Sequence, residues 1–469
     1  MSEFTFSKEL KADETTIDGL VLYDLPVHGD SRGWFKENWQ REKMTGIGLP
    51  DFGPVQNNIS FNESRGVTRG LHAEPWDKFI SVGSGSVYGV WCDIREDSPT
   101  FGKVFTASID PSKAIFVPRG VANGFQTLED DTVYTYLVND HWRPDAQYSN
   151  VSIFDESLEI NWPIPLDQAT ISDKDKNHPV LAGATPIKPK KTLITGAGGQ
   201  LGRALQLLYP GAEFANHDTL DITDPNLGSA RRWRDYGLII NSAAYTLVDS
   251  AETPGGRETA WKVNAQAVAR LAEIAIKNGI TLVHISSDYV FDGSKDLHTE
   301  DESFSPLGVY GQTKAAGDIA ASMVPNHYVV RTSWVVGDGN NFVKTMKNLS
   351  DKGVKPAVVN DQFGRLTFTD ELAAGIKHLV DTKAEPGTYN LSNDGDPVSW
   401  YDIAQEVYGD KSGDVTGVTT AEYYNGKENI APRPTQSTLD LTKIISTGFS
   451  PRNWREALRE YLENLKKEV

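Results

Sequence analysis

The chain has 469 residues, of which 39% are hydrophobic and 23% charged, with a formal net charge of −18 and a single cysteine, Cys92. That length calls for two or three domains, and no apolar run is long enough to cross a bilayer. The acidic balance argues against nucleic acid or an anionic membrane as a general partner, yet leaves room for a small anionic ligand in a locally basic site. The opening stretch "MSEFTFSKELKADETT" is polar and lacks the basic and apolar regions of a signal peptide. One cysteine excludes an internal disulfide, so a cytoplasmic location is expected.

Residues 1–180 carry short alternating runs, such as "SVYGVWCDI" (86–94) and "TVYTYLVN" (132–139), separated by turn signals such as "GSGS" and "VPRG". This rhythm predicts an antiparallel barrel or sandwich. Within it, "GVTRGLHAEPWDKFI" (66–80) brings Arg65, Arg69 and Lys78 near His72 in sequence. A histidine near neutral pKa can take a proton from a carbon acid next to a carbonyl, and a cation such as Lys78 can hold the resulting enolate. Two other readings stay open, a packed structural histidine and a metal ligand. Metal-binding relatives of such folds carry two histidines close together, which "GLHAEP" lacks, so no metal is expected.

The stretch "LAGATPIKPKK" from residue 181 has two prolines, small residues and lysines, and residues 181–190 read as an exposed linker. From 191 to 469 apolar strands ("KTLITG", "GLIINSAA", "TLVHISS", "HYVVRTSW") alternate with helical segments such as 264–279. That alternation predicts an α/β Rossmann-like, doubly wound parallel sheet. "TGAGGQLG" (195–202) places Gly196, Gly199 and Gly202 between a strand and a helix, where glycine lets the backbone approach a pyrophosphate. In "YGQTK", Tyr310 and Lys314 are four apart and share one helix face. An ammonium so placed lowers the phenol's pKa and lets it pass a proton to a carbonyl oxygen, which Ser287 of "HISSDYVFDG" can also bind.

The second segment resembles the extended short-chain dehydrogenase/reductase family. Through "TGAGGQLGRAL", "LDITD", "NSAAYTLVDSAE", "SSDYVFDG", "YGQTKAAGD" and "VVNDQFGRLTFTDELA" it is similar to dTDP-4-dehydrorhamnose reductases, with a small substrate-binding lobe. The resemblance implies Ser287, Tyr310 and Lys314 as the catalytic set. It places Gly196, Gly199, Gln200, Leu201, Gly202, Asp221, Ala243, Ala244, Tyr245 and Asn264 at the cofactor, with Asn264 organising Lys314 through water. Asp288, Tyr289 and Trp334 would line the sugar side. Arg365 and Arg433 are candidates for the nucleotide diphosphate, with a structural ion pair as the equal alternative. Asn216, followed by His217, stands where an acidic residue often contacts the adenosine ribose, so NADPH is expected, with NADH as the alternative. Ala204 replaces a glutamate implicated in magnesium binding, and magnesium is left open.

The first segment resembles the dTDP-4-dehydrorhamnose 3,5-epimerases, a cupin-type jelly roll, through "DSRGWFKE", "QNNISFNESRGVTRGLH", "VWCDIREDSPTFG", "IFVPRGVANGF" and "ISDKD". The resemblance implies His72 as general base, Asp175 as the carboxylate orienting it, Tyr136 as the opposing acid and Lys78 beside the enolate. Arg32, Glu37, Gln56, Asn58 and Arg69 would bind the nucleotide and its diphosphate, some of them across a homodimer formed through the jelly roll. Trp142 takes an aromatic place in the motif. Two departures stand out: Asn123 where the family usually has histidine, and Ala73 where an aromatic is usual, a change expected to widen the pocket. The joint expectation is a bifunctional enzyme that converts dTDP-4-dehydro-6-deoxyglucose to dTDP-L-rhamnose. The alternatives are a reductase fused to a single-centre epimerase or ketoisomerase, or a non-enzymatic nucleotide-binding protein.

Overall fold

A computed structural model describes residue 6 and residues 8–467. The polar opening stretch lies partly, at 1–5 and 7, outside the described residues. The chain divides into two compact units, Met1–Pro189 and Lys190–Val469.

The first unit contains fourteen strands among the described residues: β1 (Lys11–Glu14), β2 (Val21–Asp24), β3 (Val27–Asp30), β4 (Gly33–Lys36), β5 (Gln56–Asn62), β6 (Val67–Ala73), β7 (Lys78–Ser84), β8 (Val87–Asp93), β9 (Val104–Ile109), β10 (Lys113–Val117), β11 (Val121–Thr127), β12 (Thr132–Val138), β13 (Ser149–Asn150) and β14 (Thr170–Ile171). Twelve of them form two sheets, ordered β1-β2-β10-β7-β12-β5 and β13-β6-β11-β8-β9, with β14 added in parallel to β6, and β3 and β4 pair as a separate antiparallel hairpin. Apolar side chains from both sheets, including Ile80, Val82, Val87, Trp91, Ile115 and Phe125, fill the space between them. This is the all-β sandwich that the alternating pattern predicts.

One irregularity matters for function. The register between β6 and β11 slips: Asn123 faces His72, but Phe125 faces Arg69. A Cβ on Gly70 would lie 2.5 Å from Gly124 Cα, and Gly70 has φ +116°, so two glycines meet where side chains would not fit. Arg69 and His72, three apart, would point to opposite faces of a regular strand; the irregularity lets both line one cavity.

Residues 181–190 are not the plain exposed linker that their composition suggests. Leu181–Gly183 forms one 3-10 turn. Ile187 is only 1% exposed and joins the core cluster of Leu71, Val90, Cys92 and Ile94. Its N–H donates to Ile94 O at 2.9 Å, and its carbonyl accepts from Glu96 N at 3.0 Å. One large apolar residue in an otherwise bland stretch suffices to tie most of it to the first unit.

The second unit has a six-stranded parallel sheet built on β15 (Lys191–Thr195), β16 (Glu213–Ala215), β17 (Tyr236–Asn241), β18 (Thr281–Ser287), β19 (His327–Thr332) and the strand Gly387–Asn390, in the order β16-β15-β17-β18-β19-(387–390). The strand order switches sides between β15 and β17, which makes the crevice beyond their carboxyl ends the expected ligand position. In the helical stretch expected over 264–279, the α-helix spans Ala267–Asn278, preceded by a π-turn at Lys262–Gln266. It buries Val268, Leu271, Ala272 and Ala275 and stops at Gly279, whose φ of +62° suits a left-handed cap.

Candidate active sites

In the first unit a cavity of about 190 Å3 lies between the two sheets. His72 and Asn123 reach it from β6 and β11, and Lys78, Tyr134 and Tyr136 from β7 and β12 of the facing sheet. The base and acid candidates therefore stand on opposite walls. His72 Nε2 is 2.8 Å from Asp175 Oδ1. Burial works against ionisation of Asp175, but the hydrogen bond and charge of His72, with a hydrogen bond from Ser172, outweigh it and hold the carboxyl below its usual range. Burial, then Glu74, pushes the Tyr136 phenol up, so it stays protonated as an acid should.

Lys78 is 4% exposed, and its ammonium donates to both Glu74 and Asn123. Asn123 thus occupies a hydrogen-bonding place, holding Lys78 across the gap between the sheets. Glu74, which lines the cavity, was not singled out in the sequence; its proximity to Lys78 at i,i+4 was the available signal. Ala73 is 1% exposed in the cluster of Leu71, Cys92 and Ala122 and is not among the residues lining the cavity. Arg69 lines the cavity and bonds Asn62. Arg32, Glu37, Gln56 and Asn58 are not among its lining residues. Arg32 pairs with Asp30, Glu37 with Lys43, and Gln56 with Asn58. Trp142 is 69% exposed and stacks on Tyr148.

The premise for excluding a metal also needs correction. A second histidine does lie beside His72, supplied from a distance in sequence: His178 packs edge-to-face on it with ring centroids 5.4 Å apart.

In the second unit a cavity of about 640 Å3 opens at the β15/β17 crevice. The glycine turn leads into helix Gln200–Leu208, with Gly199 as its N-cap. A Cβ on Gly196 would lie 2.6 Å from Ala243 N, and one on Gly202 2.3 Å from Gly196 O, so the loop closes only with glycine. Gly199, Gln200, Leu201, Gly202 and Ala244 line the cavity, together with Ser287, Asp288, Tyr289, Tyr310, Lys314 and Trp334. Trp334 stacks on Trp400, a lining residue the sequence reading missed, at 3.8 Å. This helix N-terminus and close-packed glycine loop fit a dinucleotide.

Tyr310 and Lys314 share a face of helix Val309–Ala321, as their spacing predicts. Their electrostatics differ from expectation. Burial, then Asp288, raises the Tyr310 pKa, while Ser287 opposes that shift. Burial lowers Lys314 to about 8, and its Nζ donates to Ile285 O at 2.5 Å. Desolvation is thus the largest influence on both groups, and the nearby Asp288 carboxylate adds to it at Tyr310. Asp288, raised by burial to about 6, accepts from Ser287 Oγ at 2.9 Å.

Other expected residues fall elsewhere. Asn264 uses its side chain on Tyr245 N and O and on Thr313 Oγ1, with no direct bond to Lys314. Asp221 accepts from Thr223 within its own turn and does not line the cavity. Asn216 Oδ1 accepts from Gly198 N, fixing the glycine turn from the ribose side, while His217 is largely exposed. Arg433 makes a bidentate pair with Asp249, and Arg365 is buried near Leu439 O and Asp394. Ala204 packs on the core beside Leu201 and Leu205.

Family models match both units: dTDP-4-dehydrorhamnose 3,5-epimerase over residues 14–183, and RmlD substrate binding domain over residues 190–467. The chain belongs to both families. The epimerase unit is 52% identical over 198 residues to "Protein RmlC homolog" of Streptococcus pyogenes, covering 40% of this chain and 99% of that protein. The reductase unit is 38% identical over 293 residues to a dTDP-4-dehydrorhamnose reductase of Aggregatibacter actinomycetemcomitans, covering 57% of this chain and 97% of that protein. It also superposes on the crystal structure of a Bacillus anthracis dTDP-4-dehydrorhamnose reductase in complex with NADP, at 32% identity, covering 60% of this chain and all of that one, with a TM-score of 0.53. An epimerase and a reductase are fused in one enzyme.

Proposed function

We propose that this chain converts dTDP-4-dehydro-6-deoxyglucose to dTDP-L-rhamnose. The carrying observation is a base and an acid on opposite walls of one cavity, in the same chain as a Ser/Tyr/Lys set beside a glycine-rich turn. A ketone at C4 acidifies the protons at C3 and C5. His72, oriented by Asp175, removes such a proton; Lys78 offers its ammonium to the enolate oxygen; Tyr136 returns a proton from the other face, inverting the centre. In the reductase unit, Gly199, Gln200, Leu201 and Gly202 would hold NADPH, which supplies a hydride when bound. Tyr310 gives its proton to the C4 oxygen, Ser287 hydrogen-bonds that oxygen, and Lys314 restores the phenol. NADPH is favoured over NADH because Asn216, not a carboxylate, stands at the ribose side.

A homodimer through the jelly roll accords with β5, an outer strand exposing Ile59 at 69% and Phe61 at 55%. It would also give Arg32, Glu37, Gln56 and Asn58 a partner's cavity to serve. A cytoplasmic location is supported by the lone thiol of Cys92, buried and raised to about 12 by that burial. No helix of the described residues is long and apolar enough to cross a membrane.

Incubation of the purified chain with the 4-keto sugar nucleotide and NADPH tests this reading. Nicotinamide oxidation with dTDP-L-rhamnose as the product by NMR is expected. Oxidation that yields only the C4-reduced, non-inverted sugar would reject the epimerase half.

A further inference from the structure

The groups around His72 converge in a way that base catalysis does not use. His178 follows the 3-10 turn Asp175–Asn177, and its side chain is only 6% exposed. No hydrogen bond of ordinary geometry reaches either ring nitrogen, and the backbone of Gly70 is the uncharged polar neighbour outside the cluster close enough to act on the ring. A buried imidazole so weakly hydrogen-bonded is costly unless something occupies its lone pair. Its Nε2 lies 3.7 Å from Asp175 Oδ1, the oxygen that His72 Nε2 reaches at 2.8 Å. One ligand atom from each of the three residues falls within 4.8 Å of the others. A tetrahedral ion with bonds of about 2 Å sets its ligands about 3.3 Å apart, inside that spread.

The donor types suit a cation as well. The charged and titratable groups that bear on His178 are His72, Asp175 and Lys174. Two imidazoles and one carboxylate match the donor set of zinc sites that keep a position open for water. His72 is 36% exposed, and that is the way in.

We propose that His72, Asp175 and His178 form an inhibitory site for a transition-metal dication of the zinc class. In the metal-free site the Nε2–H of His72 donates to Asp175, leaving the lone pair of the base on Nδ1. A metal at Nε2 needs the lone pair on that nitrogen. The metal–Nε2 bond forms as the Nε2–H bond breaks, and the neutral ring takes up a proton at Nδ1. The ring then has no free lone pair, and proton removal from substrate stops. The reductase unit draws no ligand from this cluster and keeps working. The inhibition rests on the role proposed above for His72; the site itself does not.

Two measurements on the full chain test the proposal. In the first, cobalt(II) is added without substrate, and visible absorption is compared for the native chain, His178→Ala and His178→Gln. A tetrahedral ligand-field band in the native chain, weakened by loss of affinity of about tenfold or more in both variants, is expected. Absence of the band, or equal bands in all three, overturns the site whatever the epimerase activity. In the second, solvent deuterium uptake into the 4-keto sugar nucleotide is followed without NADPH at buffered free zinc. Chelator-reversible inhibition that shifts to higher zinc by about tenfold in both variants is expected, with NADPH oxidation on pre-inverted sugar unchanged. Equal zinc sensitivity in native chain and variants overturns the inhibition. A native chain that exchanges no deuterium even without zinc condemns the epimerase reading, and the cobalt spectrum then decides the site alone.

Discussion

The two cavities handle protons by different means. In the epimerase unit the base is partly exposed and is governed by a specific neighbour, the Asp175 carboxylate at 2.8 Å. In the reductase unit Lys314 is buried and Tyr310 partly so, and desolvation is the largest influence on each. A base that must take up and release protons at two carbons benefits from a fixed tautomer and access to water. A site that protects a hydride acceptor benefits from a dry environment. A hydrogen-bonded pair orients the base in one unit, while burial acts on the acidic phenols of both.

The largest expected effects separate the units. His72→Ala should lower deuterium exchange by about 10²–10⁴-fold, the usual weight of a general base, while NADPH binding persists. Tyr310→Phe should lower hydride transfer by a similar factor, about 10²–10⁴, while exchange at His72 continues. If either substitution stopped both reactions, the separation of the two sites would be wrong.

A smaller effect sharpens the contrast through pH. Lys314 titrates near 8, so its ammonium is present below that value and lost above it. Tyr310, pushed up by burial, keeps its proton through that range. The kcat/KM for reduction should therefore fall as pH rises through about 8, reporting Lys314 in the free enzyme. Exchange at the epimerase site should show no such limb from Lys314. A pH-rate profile without a basic limb near that value would remove Lys314 from proton supply.

The smallest effect concerns Lys78. Asn123→Ala removes one hydrogen bond to a charged group, and deuterium exchange should drop by about tenfold. Unchanged exchange would mean that Glu74 alone positions the ammonium.

Much of this was legible in the sequence, for physical reasons. The glycine turn, the i,i+4 Tyr310/Lys314 pair and Ser287 at the end of β18 are local patterns, and the fold keeps them local. What was not legible depends on contacts across the fold. His178 meets His72 only because the turn after β14 folds back on β6. Ala73 faces the core because Gly70 and Gly124 shift the strand's alternation, which a regular period of two does not anticipate. The pKa of Tyr310 moves up because burial and then the Asp288 carboxylate both disfavour its ionisation, and spacing along a helix carries no measure of either. Ile187 shows the same limit, since one apolar residue among prolines and lysines gives no sign that a core is waiting for it.

The most direct measurement is NMR of the product formed in deuterium oxide from the 4-keto sugar nucleotide and unlabelled NADPH. The expected product is dTDP-L-rhamnose carrying deuterium at C3 and C5 and protium at C4. Protium at either inverted carbon, or deuterium at C4, would contradict sequential proton exchange and hydride delivery within one chain.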